Sequence, residues 1–419
     1  MNQTLGLYIH IPFCASKCGY CDFYSCAGKE TMMQDYQNAL LAHIEESIPR
    51  IKNYYVDTVY IGGGTPSYYG AEYLCEILQT IKSSGRLLKD AEITVEMNPD
   101  SMMLNDLRML LKEGVNRISM GVQSANNDIL KTIGRRHTYA QAFKSYKLAR
   151  QAGFKNISVD LMYGLPGQTK EDWADTLSKI IRWKPDHISC YGLKLEEGTP
   201  MYEVYHDTPA IPDDDMQADM YIYASDLLER FGYKRYEISN FSHKGFESLH
   251  NLRYWRMEDY MGFGPGAHSC IEHQRYSYTR DLKGYIDGVM NGGNIIDEYE
   301  KVAGLEIANE YIMLRMRTAE GIDPEDYTKR FRAGFGPLEQ KLEFFREKGW
   351  TQKEKGRWSF TTPGFLISNL LINELLDVQA QQNAIGIPYL QDILESRERE
   401  ELSLSDEELF LQAMQEFRS

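Results

Sequence analysis

Six short runs of continuously apolar character, at residues 5–13, 58–64, 92–98, 117–123, 157–165 and 187–195, alternate with stretches patterned as helix at 32–50, 71–84, 105–113, 126–152 and 169–183. Continuous hydrophobicity, rather than every-other-residue alternation, suits strands buried on both faces of a parallel sheet. Parallel neighbours need a crossover, which a helix supplies. Six such β-α units predict an α/β chain whose sheet forms a partial (β/α)6 barrel, short of the eight strands that close a ring. A barrel of that size leaves one side open to a large ligand.

Reactive groups of barrels stand at the C-terminal ends of the strands, and the polar outliers of this chain fall there. The first run leads into Cys14. The second ends in Gly62-Gly63-Gly64-Thr65-Pro66, the third in Glu96-Met-Asn-Pro99 and the fourth in Gln123, while Asp160 interrupts the fifth just before Tyr163-Gly-Leu-Pro-Gly167. A purely structural sheet has no use for such residues at successive strand ends, so they predict a site.

The string Cys14-Ala-Ser-Lys-Cys18-Gly-Tyr-Cys21 places three thiols within eight residues. Soft thiolates select zinc or an iron–sulfur cluster. Structural zinc wants four protein ligands in a closed tetrahedron, yet Cys26 is five residues on and Cys75, Cys190 and Cys270 are isolated. A zinc knuckle would have to borrow a histidine such as His10. A [4Fe–4S] cubane normally takes four thiolates; held by three, it keeps one iron free to chelate the amino and carboxylate groups of S-adenosylmethionine. The tight spacing and the odd total of seven cysteines argue against disulfides.

A formal net charge of -15 excludes the basic footprint of a nucleic-acid binder. The opening MNQTLGLYIH shows no basic, apolar or lipidated targeting pattern, and no window approaches the ~18 apolar residues of a spanning helix. With its cysteines read as reduced, the chain is expected to be cytoplasmic. Its 29 tyrosines suit a surface for a flat, partly polar ligand, although a single tyrosine is more often core.

The barrel rhythm spans residues 1–200. Residues 201–300 read as an extension of it, with a helix from 212 to about 231, a strand-like 233–241 and a glycine-rich aromatic stretch at 250–270. Residues 301–378 read as a small helical, winged-helix-like domain with helices at 337–348 and 365–376 around a hairpin at 350–361. The last segment, 379–419, is an extension of unknown role that ends in a capping box, Ser405-Asp-Glu-Glu408, and a helix-like pattern.

Sulfonium, ammonium, carboxylate and ribose diol make separate demands, and Glu96, Gln123, Arg135 and Asp160 supply acids, an amide and a cation, with Arg135 able to fork onto a carboxylate. Residues 62–64 let backbone approach a ligand closely, though a tight βα turn explains three glycines equally well. The Cys triplet, with Tyr20 before its last member, resembles the radical SAM signature. Residues 5–377 as a whole resemble the branch of that superfamily containing HemW and oxygen-independent coproporphyrinogen III oxidase. The strings that carry the likeness are His10-Ile-Pro-Phe-Cys14, Gly62-Gly-Gly-Thr-Pro-Ser67, Gly121-Val-Gln-Ser124, Gly134-Arg-Arg-His137, Asp160-Leu-Met-Tyr-Gly-Leu-Pro-Gly-Gln-Thr169 and Tyr236-Glu-Ile-Ser-Asn240. The resemblance implies that Cys14, Cys18 and Cys21 bind a [4Fe–4S] cluster. It further implies that Gly62, Gly63, Gly64 and Thr65 meet the amino end of S-adenosylmethionine, Arg135 its carboxylate, and Gln123 and Asp160 its ribose, with Tyr8 and Glu96 close by.

Two activities compete within the branch. The oxidase, which decarboxylates two propionates of coproporphyrinogen, carries a fourth Cys two residues after the third and an N-terminal extension. Here Phe23 stands at that position and 13 residues precede Cys14. His250-Asn-Leu-Arg-Tyr-Trp255 instead resembles the HNxxYW motif of the heme chaperones, where imidazole is a natural axial ligand of heme iron. The expectation is a chaperone without oxidase activity. It binds heme through His250, with Tyr254 and Trp255 against the porphyrin and Arg253 on a propionate, and His268 and His243 are further heme candidates. It passes heme to acceptor hemoproteins, membrane respiratory enzymes among them, with an electron donor for its cluster, a homodimer and a peripheral membrane location as further expectations. Coproporphyrinogen oxidation is the alternative.

Overall fold

The computed structural model describes residues 3–99 and 101–386, so the capping box at 405–408 and the helix pattern after it lie outside the described residues. All six apolar runs are strands: β1 (Thr4–Ile11), β2 (Tyr55–Gly63), β3 (Leu87–Met97), β4 (Arg117–Gln123), β5 (Asn156–Tyr163) and β6 (His187–Gly192). They lie side by side in chain order, each parallel to the next. Helices α1 (Met33–Ile51), α2 (Ala71–Ser83), α3 (Leu104–Lys112), α4 (Tyr139–Ala152) and α5 (Lys170–Trp183) make the crossovers. The helices start where side chains can satisfy free amides. Thr138 with Gln141 and Thr169 with Asp172 form capping boxes at α4 and α5.

The expected helix at 126–152 is two pieces. A short turn, Asn127–Thr132, stops before α4, and between them Gly134 takes a positive φ of 77°. That break lets Arg135 reach back toward the cysteines. The strand-like stretch 233–241 is broken, pairing at Lys234–Arg235 and Asn240–Ser242 with a single bridge from Glu237 to Thr318 between them. Beyond it the sheet gains an element that the sequence did not announce. Helices α6 (Asp214–Arg230) and α7 (Leu249–Trp255) precede β7 (Tyr260–Phe263), which pairs in parallel on the free side of β1. Strands β8 (His268–Ile271), β9 (Gln274–Tyr278) and β10 (Ile296–Lys301) continue that edge antiparallel. The mixed sheet does not close, and β1 is interior to it.

One apolar core fills the space between these strands and helices; Leu7, Ile9, Ile61, Val95 and Met120 are among its fully buried members. A second core joins Ile312, Leu342, Trp358 and Leu371 from the helices and the Thr351–Phe360 hairpin of the C-terminal part, with Tyr221 of α6 packed into it. The final helix runs Ser368–Gly386, past the expected end at 376. No helix among the described residues is long and apolar enough to cross a membrane.

Candidate functional site at the strand ends

The cysteine loop is tied down at both ends and in the middle. Phe13–Cys14 pairs with Cys26–Ala27, and the Cys26 amide donates to the Pro12 carbonyl at 2.7 Å. Between these anchors the Gly19 amide reaches the Ile133 carbonyl, and the Gly19 carbonyl accepts from Met201. Cys14 is buried, whereas Cys18 and Cys21 are half-exposed. Burial raises the Cys14 and Cys21 thiols, and Cys18 lies close enough that its charge raises both further. Among the described residues no three His, Cys, Asp or Glu side chains converge tightly enough for a single metal ion. Structural zinc wants four protein ligands, whereas three thiolates from one loop fit the three protein-held corners of a cubane better than a closed knuckle. His10 could not complete one either: it is buried, its Nε2 meets the Tyr24 carbonyl at 2.9 Å and its Nδ1 the Tyr8 hydroxyl at 3.0 Å.

Around the thiols stand groups from three strand ends. Thr65 Oγ1 is 3.4 Å from Cys14 Sγ and accepts from Asn98 Nδ2 at 3.2 Å. Arg135 donates to Cys18 Sγ at 3.6 Å, to Asn98 Oδ1 at 2.8 Å and to the Gly121 carbonyl, while its buried Nε has no partner. Asn98 thus bridges the Thr65 and Arg135 positions. It was not singled out from the sequence, although it sits inside the Glu96-Met-Asn-Pro string.

The glycines act mainly within the protein. A Cβ on Gly63, whose φ is 109°, would fall 2.6 Å from the His10 ring, and one on Gly64 would meet the Phe13 carbonyl at 2.8 Å. Their bareness lets β2 press against β1, and this brings Thr65 to Cys14. Glu96 accepts from the Tyr60 hydroxyl at 2.8 Å and from the Gly63 amide at 3.1 Å. Burial pushes its carboxyl up to about 7 against those two bonds, and the Asp160 charge adds to the rise. Asp160 lies within β5 and collects three hydroxyls, from Ser189 at 2.6 Å, Ser119 at 2.8 Å and Ser158 at 3.1 Å. Gln123 ends β4 at a register shift, with a positive φ of 67° that is costly for a side chain of its size.

The strand-end site and α7 meet in one cavity. Tyr8, Gly63 and Glu96 line it from the strands, His250, Asn251 and Tyr254 from α7, and Tyr60, Tyr191 and Phe23 complete it. Its volume is about 220 Å³. Phe23 is 70 % exposed at the mouth. Tyr60 is the hinge of this arrangement, stacking on Tyr8 on one side and on His250 on the other. It lies two residues before Gly62 on the same strand face, a two-residue period that could have marked it.

Helix α7 is fixed from beneath. Glu92 of β3 accepts from the Leu249 and His250 amides at 3.1 and 3.0 Å, placing a carboxylate at the positive helix end. His250 is 1 % exposed; its Nδ1 meets Thr58 Oγ1 at 2.9 Å and its Nε2 the Tyr254 hydroxyl at 2.8 Å. Burial, helped by the Arg253 and Arg117 charges, lowers the ring to about 3, so it is neutral. The expected propionate partner is corrected. Arg253 is buried, ion-paired with Asp57 and bonded to the Asp259 carbonyl and Thr4 Oγ1, so its guanidinium serves the fold. His268 is exposed on β8, and His243 stacks on Tyr233; neither lines the cavity.

Residues 8–180 match the family model for the Radical SAM superfamily, and residues 302–367 that for the HemN C-terminal domain. The chain is 35% identical over 384 residues to the heme chaperone HemW of Haemophilus influenzae, covering 89% of this chain and 97% of that one. Against the heme chaperone HemW of Bacillus subtilis it is 34% identical over 375 residues, covering 88% and 98%. The fold matches that of coproporphyrinogen III oxidase (HemN) from Escherichia coli with a TM-score of 0.77 over 90% of both chains, at 23% identity. With relatives this similar aligned along nearly their full length, the chain belongs to the HemW family of the radical SAM superfamily.

Proposed function

We propose that the chain is a heme chaperone: it binds heme at the cavity beside α7 and delivers it to acceptor hemoproteins, using a radical-SAM-type site at the strand ends. The observation that carries this reading is the shared cavity, in which Gly63 and Glu96 face His250 and Tyr254. The names of the relatives support it as well.

Membership of the radical SAM superfamily implies a [4Fe–4S] cluster and S-adenosylmethionine. The residues present fit both groups. Three thiols on one loop tied down at both ends suit a cubane on Cys14, Cys18 and Cys21, and burial raises the Cys14 and Cys21 thiols. The orphaned Nε of Arg135 suits the methionine carboxylate. Gly62, Gly63, Gly64 and Thr65 offer backbone and hydroxyl to its amino end, with Glu96 as the acid nearby. Asp160 and Gln123 offer an acid and an amide to the ribose, and Tyr8 closes the side toward β1. When bound, the cluster and the sulfonium together supply one-electron chemistry. The chain's own residues at the ends of β2, β4 and β5 would hold the sulfonium cofactor in one orientation.

At about 220 Å³ the cavity is smaller than the ~300–1,000 Å³ of an enclosed ligand site. A porphyrin therefore seats at its mouth, against Phe23 and Tyr191, which are 70 % and 40 % exposed. An exposed seat suits a protein that must give its cargo up. Acceptors at a membrane, an electron donor for the cluster and a homodimer belong to the same reading.

The test is hemin titration of the reconstituted protein followed by transfer to an apo-hemoprotein. A Soret shift on binding, reversed as the acceptor's spectrum grows, is expected. Incubation with coproporphyrinogen III, S-adenosylmethionine and reductant is expected to yield no protoporphyrinogen; its formation would replace this reading by the oxidase.

A further inference from the structure

Two of the three cysteine sulfurs are approached by hydrogen-bond donors, and one side chain holds both donors in place. Thr65 Oγ1 lies 3.4 Å from Cys14 Sγ, and Arg135 Nη1 lies 3.6 Å from Cys18 Sγ. Asn98, directly after β3, spans the two.

The direction of each bond follows from the groups themselves. A guanidinium only donates. The Asn98 carboxamide oxygen must therefore face Arg135, at 2.8 Å, and its Nδ2 donates to Thr65 Oγ1 at 3.2 Å. A cysteine that ligates metal is a thiolate and has no proton to give. The Thr65 hydroxyl takes the Asn98 N–H on a lone pair, so its own proton goes to Cys14 Sγ, its one other side-chain partner among the described residues. Arg135 Nη2 is held between Asn98 Oδ1 and the Gly121 carbonyl, which aims Nη1 at Cys18. Asn98 is fixed in turn through its backbone. Its amide donates to Ser67 Oγ at 3.0 Å, its carbonyl accepts from Ser101, and the two serine hydroxyls meet at 2.6 Å.

Resting on the cluster reading above, we propose that Asn98 is the positioning residue that sets the reduction potential of the cluster, by holding the Thr65 hydroxyl on the Cys14 sulfur and the Arg135 guanidinium on the Cys18 sulfur. An added electron makes the thiolate sulfurs more negative, and donors aimed at them stabilise that form. Hydrogen bonds to the sulfurs are among the factors that set such potentials, and groups behind the ligands tune a metal site in the same way. With Nη1 and Nη2 committed, the orphaned Nε is the part of Arg135 left for the methionine carboxylate, so one guanidinium serves both groups.

The experiment is an anaerobic redox titration of the reconstituted full chain, followed by electron paramagnetic resonance, on wild type, Asn98→Ala, Asn98→Asp and Thr65→Val, with iron and sulfide measured in each. Asn98→Ala is expected to keep its cluster but to be harder to reduce, on the order of tenfold in the reduction equilibrium, ~59 mV for a one-electron couple. Asn98→Asp should move further in the same direction. It matches asparagine in shape and still accepts from Arg135, but it draws the Thr65 proton away from Cys14 and adds a negative charge. Thr65→Val removes the Cys14 donor alone and should give a smaller shift of the same sign, readable even if Asn98→Ala fails to hold a cluster. A residue that serves only the fold would change cluster content or melting temperature and leave the midpoint where it is. A wild-type midpoint in Thr65→Val, or in Asn98→Ala at full cluster content, overturns the assignment and leaves the chaperone reading intact. A wild type that forms no [4Fe–4S] signal sinks the cluster reading itself.

Discussion

The cysteine loop and α7 face each other across one cavity but are built on opposite principles. The loop is pinned at its ends by backbone pairs, while its functional atoms are left with few partners: two half-exposed thiols and an arginine with an orphaned Nε. In α7 most polar side-chain atoms are engaged within the protein, although the buried Nε of Arg253 also lacks a partner. Glu92 holds its amides, Thr58 and Tyr254 hold His250, and Asp57 holds Arg253. A buried polar group without a partner is expensive unless something external completes it. The two thiols and the Arg135 Nε are therefore open to a group from outside, whereas both His250 nitrogens are engaged already and must exchange an internal bond to take a ligand.

The largest expected effects separate the two regions. Cys18→Ser should abolish the cluster, read as the loss of iron, sulfide and the visible chromophore, with a small change in the urea midpoint because Cys18 is half-exposed. Arg253→Ala should do the reverse. It leaves Asp57 without its buried partner, a change that costs about 3–5 kcal/mol in such pairs, toward the lower end here because Asp57 is 31% exposed. Cluster content should stay at the wild-type level. If Arg253→Ala also loses the cluster, the two regions are one cooperative unit and the contrast fails.

What could be read from the sequence follows the same division. The strands and the cysteine loop were legible because their signals are local: apolar runs bounded by glycine, and a spacing of thiols. All six runs are strands, and β4 has the expected bounds of 117–123. The seventh parallel strand was not legible. Tyr260–Phe263 is four residues long inside a glycine-rich stretch, and only its tertiary pairing with β1 makes it a strand. The break before Arg135 was hidden because residues 126–152 keep a helical pattern across it. The role of Arg253 was misread for a related reason. Its partners Asp57 and Thr4 are 196 and 249 residues away in the chain, a separation that no local pattern reports.

The wall between the two regions should respond to pH through Glu96. Its carboxyl is raised from 4.5 to about 7, so between those values the folded chain binds more protons than the unfolded one. Stability then falls as pH rises through that window, by up to about 3 kcal/mol. Glu96→Gln should flatten this part of the profile in urea titrations at pH 5, 6, 7 and 8. Glu237, likewise buried and raised to about 7, contributes a slope of the same sign that survives in that variant. An ammonium ion beside Glu96 favours the carboxylate, so S-adenosylmethionine should bind more tightly as pH rises toward 8, and Glu96→Gln should remove the trend. A Glu96→Gln profile as steep as wild type would place the titrating group elsewhere.

The smallest effect tests whether the loop side stores strain for its ligand. Gln123 holds a φ of 67° at the end of β4, where its side chain crowds Gly121: a Cβ there would lie 3.0 Å from Gln123 Nε2 and 3.2 Å from Arg135. A left-handed conformation costs a residue other than glycine roughly 1 kcal/mol or more. Gln123→Gly should relieve that cost and raise the urea midpoint slightly, by roughly 0.5 kcal/mol in stability once glycine's greater unfolded-state freedom is subtracted. The same change should weaken S-adenosylmethionine binding and leave hemin binding alone, because Gln123 faces Arg135 and Asn98 and not α7. A gain in stability paired with a loss of one ligand and not the other would identify Gln123 as strained for function. If stability falls instead, the side chain's packing outweighs its backbone cost and the strain has no role in binding.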